Sequence, residues 1–222
     1  QAFNMAWQLQ LPIAKDLYKE AKRVVEDWLT YEPGEKAFYY ARYPLPWSGL
    51  VGFNSSYGSE QFTDNHFHYG YLAMSAGLIG MHDPVWLKKY RSSLTEVVKQ
   101  YAEWERDSLR YPRLRTFECW GGHSYAGGMS SGYDGNNQES SSEAVGSWAG
   151  MFFLGAALGD EEMLATGARV MPSKLKRFTN TGTTPMVGKK LVIPIGHPTT
   201  NLRFVQLCGI GIWVHGPGLV ES

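Results

Sequence analysis

The dipeptide Asp83-Pro84 does most to limit how this chain can fold. Proline fixes its own φ, suits a first helical turn and holds its predecessor out of helical geometry, so one helix must stop here and another begin. Apolar and small residues recur at helical spacing on both sides. Tyr69, Leu72, Ala73, Ala76 and Leu78 precede the break; Trp86, Leu87, Tyr90, Leu94, Val97, Val98, Tyr101 and Trp104 follow it. Two helices joined by so short a turn form an antiparallel αα-hairpin. The first starts with Thr63 or Asp64 as its cap and runs to Gly80; the second runs to about Asp107.

Other helical runs flank this pair. Ile13, Leu17, Ala21, Val24, Val25 and Trp28 give an amphipathic helix from Pro12 to Leu29, ended by Pro33-Gly34. A run from near Gln138 through Leu154 is small and apolar enough to sit inside, and a shorter one covers Glu161 to Val170. Residues 1–10 are too short and mixed to assign. Two long connections, 31–62 and 108–137, are crowded with glycine and aromatic residues, and loops of that length in a compact domain are often functional. Past Met171 prolines and glycines multiply; Lys190–Ile195 and Leu202–Val214 read as short strands or a disordered tail. The expectation is an all-α unit over 1–170 and an atypical segment over 171–222, with no internal repeat.

Composition removes several classes of function. With 21 basic and 21 acidic residues the chain has no net field to attract nucleic acid or an anionic membrane. No apolar run approaches the ~20 residues of a membrane span. Cys119 and Cys208 have no CxxC spacing, which argues against a disulfide framework or a structural zinc site. No basic-then-apolar leader is visible from Gln1 onward. An aromatic content of 14% suits either an aromatic core or a surface that stacks on sugar rings.

Two stretches carry the chemistry: Asp64-Asn65-His66-Phe67-His68-Tyr69-Gly70-Tyr71 and Asn136-Asn137-Gln138-Glu139-Ser140-Ser141-Ser142-Glu143. Asp64 and His68 are four apart, as are Glu139 and Glu143, so helices opening at both places would put each pair on one face. Asp64 alone would pass for an N-cap, Glu139 for a helix-dipole partner and Glu143 for a solvated residue. Their coincidence points elsewhere: the face carrying the glutamates is otherwise apolar or small, and the neighbouring amides and serines supply partners that buried carboxylates need. Three carboxylates and a histidine suit acid/base work on a neutral substrate.

Asp64, His66, His68, His123, Glu139 and Glu143 are also conceivable metal ligands. His66 and His68, two apart on a helix, point to different sides, and no HExxH spacing occurs, so a metal-dependent hydrolase ranks second. No GxSxG, GxGxxG or GxxxxGK[ST] pattern is found.

Together, DNHFHYGY at 64–71, RYPRLRTFE at 110–118, GHSYAGG at 122–128 and DGNNQESSSEAV at 134–145 resemble the catalytic-domain motifs of glycoside hydrolase family 81, the endo-1,3-β-glucanases or laminarinases. The likeness covers roughly residues 12–170. It implies part of an (α/α)6 toroid and an inverting endo-hydrolase of β-1,3-glucan that needs neither metal nor cofactor, secreted or associated with a cell wall. Asp64 matches the general acid, Glu139 and Glu143 the glutamates that include the base, His68 the histidine one turn after the aspartate, and His123 the histidine lining the cleft. Asn137 joins the substrate-binding set, and Tyr69, Tyr71 and Trp120 are candidates for stacking on sugar rings. The family pattern has a histidine where this chain has Asn65 and an aspartate where it has Glu118. Family members run to several hundred residues with a β-sandwich before the toroid, so a glucan-binding piece without turnover is the alternative.

Overall fold

The computed structural model describes residues 1–42, 49–52, 58–128, 137 and 140–171 in full, and the backbone of 172–180, 202–207 and 210–215. They fall into two compact units, Gln1–Arg177 and Phe178–Ser222. The first is helical, with α1 (Ala2–Gln8), α2 (Ala14–Leu29), α3 (Asn65–His82), α4 (Pro84–Ala102), α5 (Ser141–Leu158) and α6 (Glu161–Asn180). Two small antiparallel hairpins sit in its long connections: β1 (Tyr40–Arg42) with β2 (Leu50–Gly52), and β3 (Phe117–Glu118) with β4 (His123–Ser124). In the second unit β5 (Leu202–Leu207) pairs antiparallel with β6 (Ile210–His215), in register from Leu202↔His215 to Leu207↔Ile210. The strand expectation for 202–214 thus holds in the backbone, while that for 190–195 lies outside the described residues.

Asp83 and Pro84 act as the sequence requires. The Asp83 carboxylate accepts the Trp86 N–H at 2.9 Å, capping α4, and pairs with Lys22 of α2 at 2.8 Å. Several helix bounds differ from expectation. Within the N-terminal ten residues Ala2–Gln8 form a helix, with Phe3 and Ala6 buried. Helix α4 stops at Ala102, short of Asp107, because Glu103 leaves helical geometry and its carbonyl accepts the N–H of Leu114 at 3.0 Å. Helix α5 starts at Ser141, after Ser140 at φ 51°. Helix α6 continues past Pro172 to Asn180, since proline withholds one backbone donor without necessarily ending a helix.

The helices form two kinds of layer. On α3 and α5 nearly every side is apolar or small, the pattern of a helix buried all round. Glycine in a helix interior costs about 0.5–1 kcal/mol against alanine, and both helices carry several. Close contact is what they gain. A Cβ at Gly70 would stand 2.5 Å from the Ser147 Cα, one at Gly150 2.5 Å from the Gly70 carbonyl oxygen, and one at Gly77 2.7 Å from the Leu154 nitrogen. These pairs run in the same order along both helices, so α3 and α5 lie parallel, with their N-termini side by side. Helix α4 returns antiparallel to α3 with Leu87 against Gly80, and α6 returns along α5 with Gly167 against Phe152 and Leu164 against Gly155. Trp148 centres the core, its ring edge-on to Tyr101 at 5.8 Å and to Phe117 at 5.5 Å.

Candidate active site

Both inner helices start from a backbone that resists ordinary capping. Asp64 and Ser140 occupy the N-cap positions of α3 and α5 at φ 54° and 51°, and neither side chain caps its helix. The capping role first weighed for Asp64 is therefore not the one it plays. Phe62, Asp64 and Ser140 are three of the six non-glycine residues at positive φ among those described. Such strain persists only where the surroundings over-determine it, and it gathers at functional sites.

The surroundings here are the four sequence motifs, brought to one place. The N–H of Asp64 donates to the Ala126 carbonyl at 2.9 Å, and the N–H of Ala126 donates to the Asn137 carbonyl at 2.7 Å. Phe67, Ala126 and Ala144 form a buried apolar cluster beneath them. Arg115 donates to Asn65 Oδ1 at 3.0 Å and to the Gln100 carbonyl at 2.8 Å, while Asn65 donates to the Ser59 carbonyl at 3.3 Å. Asn65 is fully buried in these contacts, so its amide anchors the start of α3 to the 110–118 segment. Gly128 passes against the backbone of Gln61 and Thr63, where no Cβ would fit. Finally, the Ser147 hydroxyl is shared between the carbonyls of Glu143, at 2.9 Å, and His66, which locks the first turns of α3 and α5 in register.

From this platform the ionisable side chains project. Asp64 is half-buried, with Oδ1 withdrawn from solvent. The Tyr71 hydroxyl donates to Glu143 Oε1, linking the second turn of α3 to the first of α5. His68 is half-buried; burial lowers its imidazole below the ordinary value, and the charges of Glu143 and then Glu60 act the other way. Glu60 lies in the short 3-10 turn Ser59–Gln61. It had no signal in the sequence, because an isolated glutamate in a loop looks solvated until the chain folds it back toward His68. His66 points to the opposite side, 1% exposed and with its ring 4.0 Å from that of Phe67.

The remaining candidates separate. Tyr69 is a correction: it is 0% exposed, its ring is edge-on to Tyr40, and its hydroxyl donates to the Leu50 carbonyl at 3.0 Å while accepting the Gly52 N–H at 3.2 Å. It has no face left for a sugar; its position on the inner helix made burial the stronger demand. Trp120, at the tip of the β3–β4 hairpin, is 98% exposed. His123 is buried below it, 4.0 Å from Glu118, whose carboxylate also accepts the N–H groups of Trp120 and Gly121. Asn137 is exposed. Helix α5 starts at Ser141, with Glu143 in its first turn; Glu139, and with it the expected pairing of the two glutamates on one face, lies outside the described residues. Among the described residues no three His, Cys, Asp or Glu side chains group as metal ligands.

Comparison with known proteins places this arrangement. A profile described as the glycosyl hydrolase family 81 C-terminal domain matches residues 9–181. The chain belongs to glycoside hydrolase family 81. A solved family 81 glycoside hydrolase from Clostridium thermocellum, in a mutant form, superposes with a TM-score of 0.74 at 36% identity, over 81% of this chain and 25% of that one. The glucan endo-1,3-beta-D-glucosidase of Acetivibrio thermocellus is 38% identical over 185 residues, 81% of this chain and 24% of the relative. That of Thermobifida fusca is 40% identical over 150 residues, 66% of this chain and 20% of the relative. A primary septum glucan endo-1,3-beta-D-glucosidase of Schizosaccharomyces pombe is 29% identical over 134 residues, 56% of this chain and 13% of the relative. The chain thus spans about a quarter of the length of the Clostridium and Acetivibrio proteins. Its helical hairpins are part of the family's α-toroid, as the sequence motifs implied.

Proposed function

We propose that this chain carries the catalytic centre of an inverting endo-hydrolase of β-1,3-glucan, within a partial (α/α)6 domain over residues 1–170 that is followed by an atypical segment over 171–222. The observation that supports it best is the convergence of Asp64, His68 and Glu143 at the paired N-termini of α3 and α5, held there by Ser147 and Ala126. Inversion needs a protonated acid at the leaving oxygen and an ionised carboxylate that holds a water on the opposite face of the ring, with the two carboxyl groups ~6.5–9.5 Å apart. Asp64, at the start of α3, takes the acid's part. Glu139 and Glu143 share the base's part, one activating the water and the other orienting it. His68, kept mostly neutral by burial, can hydrogen-bond the water or the sugar without adding charge. His123, Asn137 and the exposed face of Trp120 complete the substrate-binding set.

The discriminating measurement is reducing-sugar release from laminarin against cellulose. Product from laminarin alone, lost in Asp64→Asn, Glu139→Gln and Glu143→Gln, is expected; activity that survives all three changes overturns the assignment. Because the chain spans only about a quarter of its matched relatives, a second reading is a glucan-binding piece. Heat of binding with laminari-oligosaccharides in the absence of product would select it.

A further inference from the structure

Tyr71 was grouped with the residues that could stack on sugars, yet its most specific contact is to another side chain. Its hydroxyl donates to Glu143 Oε1, and the ring is 50% exposed beside that carboxylate. The bond spans the two inner helices, and the Ser147 hydroxyl holds the Glu143 carbonyl, so it acts on a carboxylate whose backbone is already fixed. We propose that Tyr71 is a positioning residue for Glu143, setting the orientation of that carboxylate toward the reacting centre through a hydrogen bond from its hydroxyl. This role deepens the hydrolase reading and rests on it.

Three features favour positioning over stacking. A carboxylate at the first turn of a helix has several open rotamers, and one fixed donor on the facing helix removes most of them. The neighbouring charged and titratable groups are His68, on the same helix as Tyr71, and Glu60 beyond it, and both Glu143 and Glu60 act on His68 through their charge. Burial, the bond and the charge of Glu143 all push the Tyr71 hydroxyl well above its ordinary value, so it stays a donor throughout the range in which a carboxylate base works. A phenol also offers reach without charge: a lysine here would neutralise the carboxylate, and a serine would fall short of it.

The test uses Tyr71→Phe, Tyr71→Leu, Glu143→Gln and the double variant Tyr71→Phe/Glu143→Gln in the full chain. Positioning predicts that Tyr71→Phe, which keeps the ring, lowers kcat on laminarin about 10- to 100-fold with KM nearly unchanged, and that Tyr71→Leu is no worse. It also predicts that Tyr71→Phe has no further effect in the Glu143→Gln background, since residues acting as a unit are non-additive. A stacking role predicts the reverse: Phe tolerated, Leu raising KM, and additive losses. An activity-independent readout is titration of tyrosinate absorbance. In Glu143→Gln, which removes the charge of the carboxylate, one tyrosine should ionise at a lower pH than in the wild type, still above the ordinary phenol value because burial is the largest cause, and that step should vanish in the double variant. An unchanged titration, or additive losses in kcat, overturns the positioning role while leaving the hydrolase reading intact. Absence of product from the wild-type chain overturns both.

Discussion

Helices α3 and α5 differ from α2 and α4 in how they are held. The inner pair has almost no polar face and meets backbone to backbone through Gly70, Gly77, Gly150 and Ser147. The outer pair shows an apolar stripe inward and charges outward, with Arg23–Glu20 on α2, and with Glu96 of α4 pairing Arg42 and Arg110 at 3.0 Å each. An outer helix can shift slightly, because side chains repack and surface ion pairs re-form at little cost. An inner helix with backbone against backbone cannot. Chemistry that needs carboxylates held within a fraction of an ångström therefore belongs at the ends of the inner helices, and that is where Asp64, His68 and Glu143 lie.

Substitutions taken from the site outward should break this contrast in graded steps. Under the proposed mechanism Asp64→Asn removes the proton donor and leaves the packing intact. Laminarin hydrolysis should fall about 10³-fold in kcat, with the thermal midpoint unmoved; a large fall in the midpoint would instead mark Asp64 as structural. Gly77→Val, far along the same helix from the site, should cost about 3 kcal/mol in denaturant unfolding, because its side chain would strike the backbone of Phe153 and Leu154. Tolerance of valine there would mean that the inner helices are less tightly held than described.

At the junction of the two layers, Asp83→Ala should cost about 1 kcal/mol at neutral pH through the lost cap of α4. The bond from Lys22, then that from the Trp86 N–H, holds the Asp83 carboxyl below its ordinary value. Its charge-dependent contribution is thus complete above about 4, the unfolded value, and is lost as pH falls through the lower native one. Unfolding curves of wild type and variant should converge in acid; a gap that stays constant to pH 2 would remove the ionic part of the account. Outermost of all, Val85→Ala on the 82% exposed start of α4 should stay within about 0.5 kcal/mol of wild type by the same measurement.

Much of the fold could be read along the chain because its information is local. Asp83-Pro84 marks a hairpin whatever surrounds it, and the apolar spacing of α2 and α4 reports an outer helix by pattern alone. The ends of α4 and α6 could not be read this way: Glu103 turns away because Leu114, eleven residues on, takes its carbonyl, and the backbone of α6 runs on past Pro172. The short α1 had too few residues to show a period, and only its packing of Phe3 and Ala6 makes it a helix.

The site divides in the same way. Sequence by itself determined which residues carry charge and hydrogen-bonding capacity, and the four motifs named the family, because chemistry and motif spacing are properties of the chain. Tertiary structure alone decided that Tyr69 belongs to the core, that Asp64 declines to cap its helix, that α5 begins at Ser141, and that Tyr71 bonds Glu143 while Glu60 acts on His68. Each of these depends on which face of one helix meets which face of another. That is set by the close approach of Gly70 and Gly150, a contact between residues about eighty positions apart, which no local pattern records.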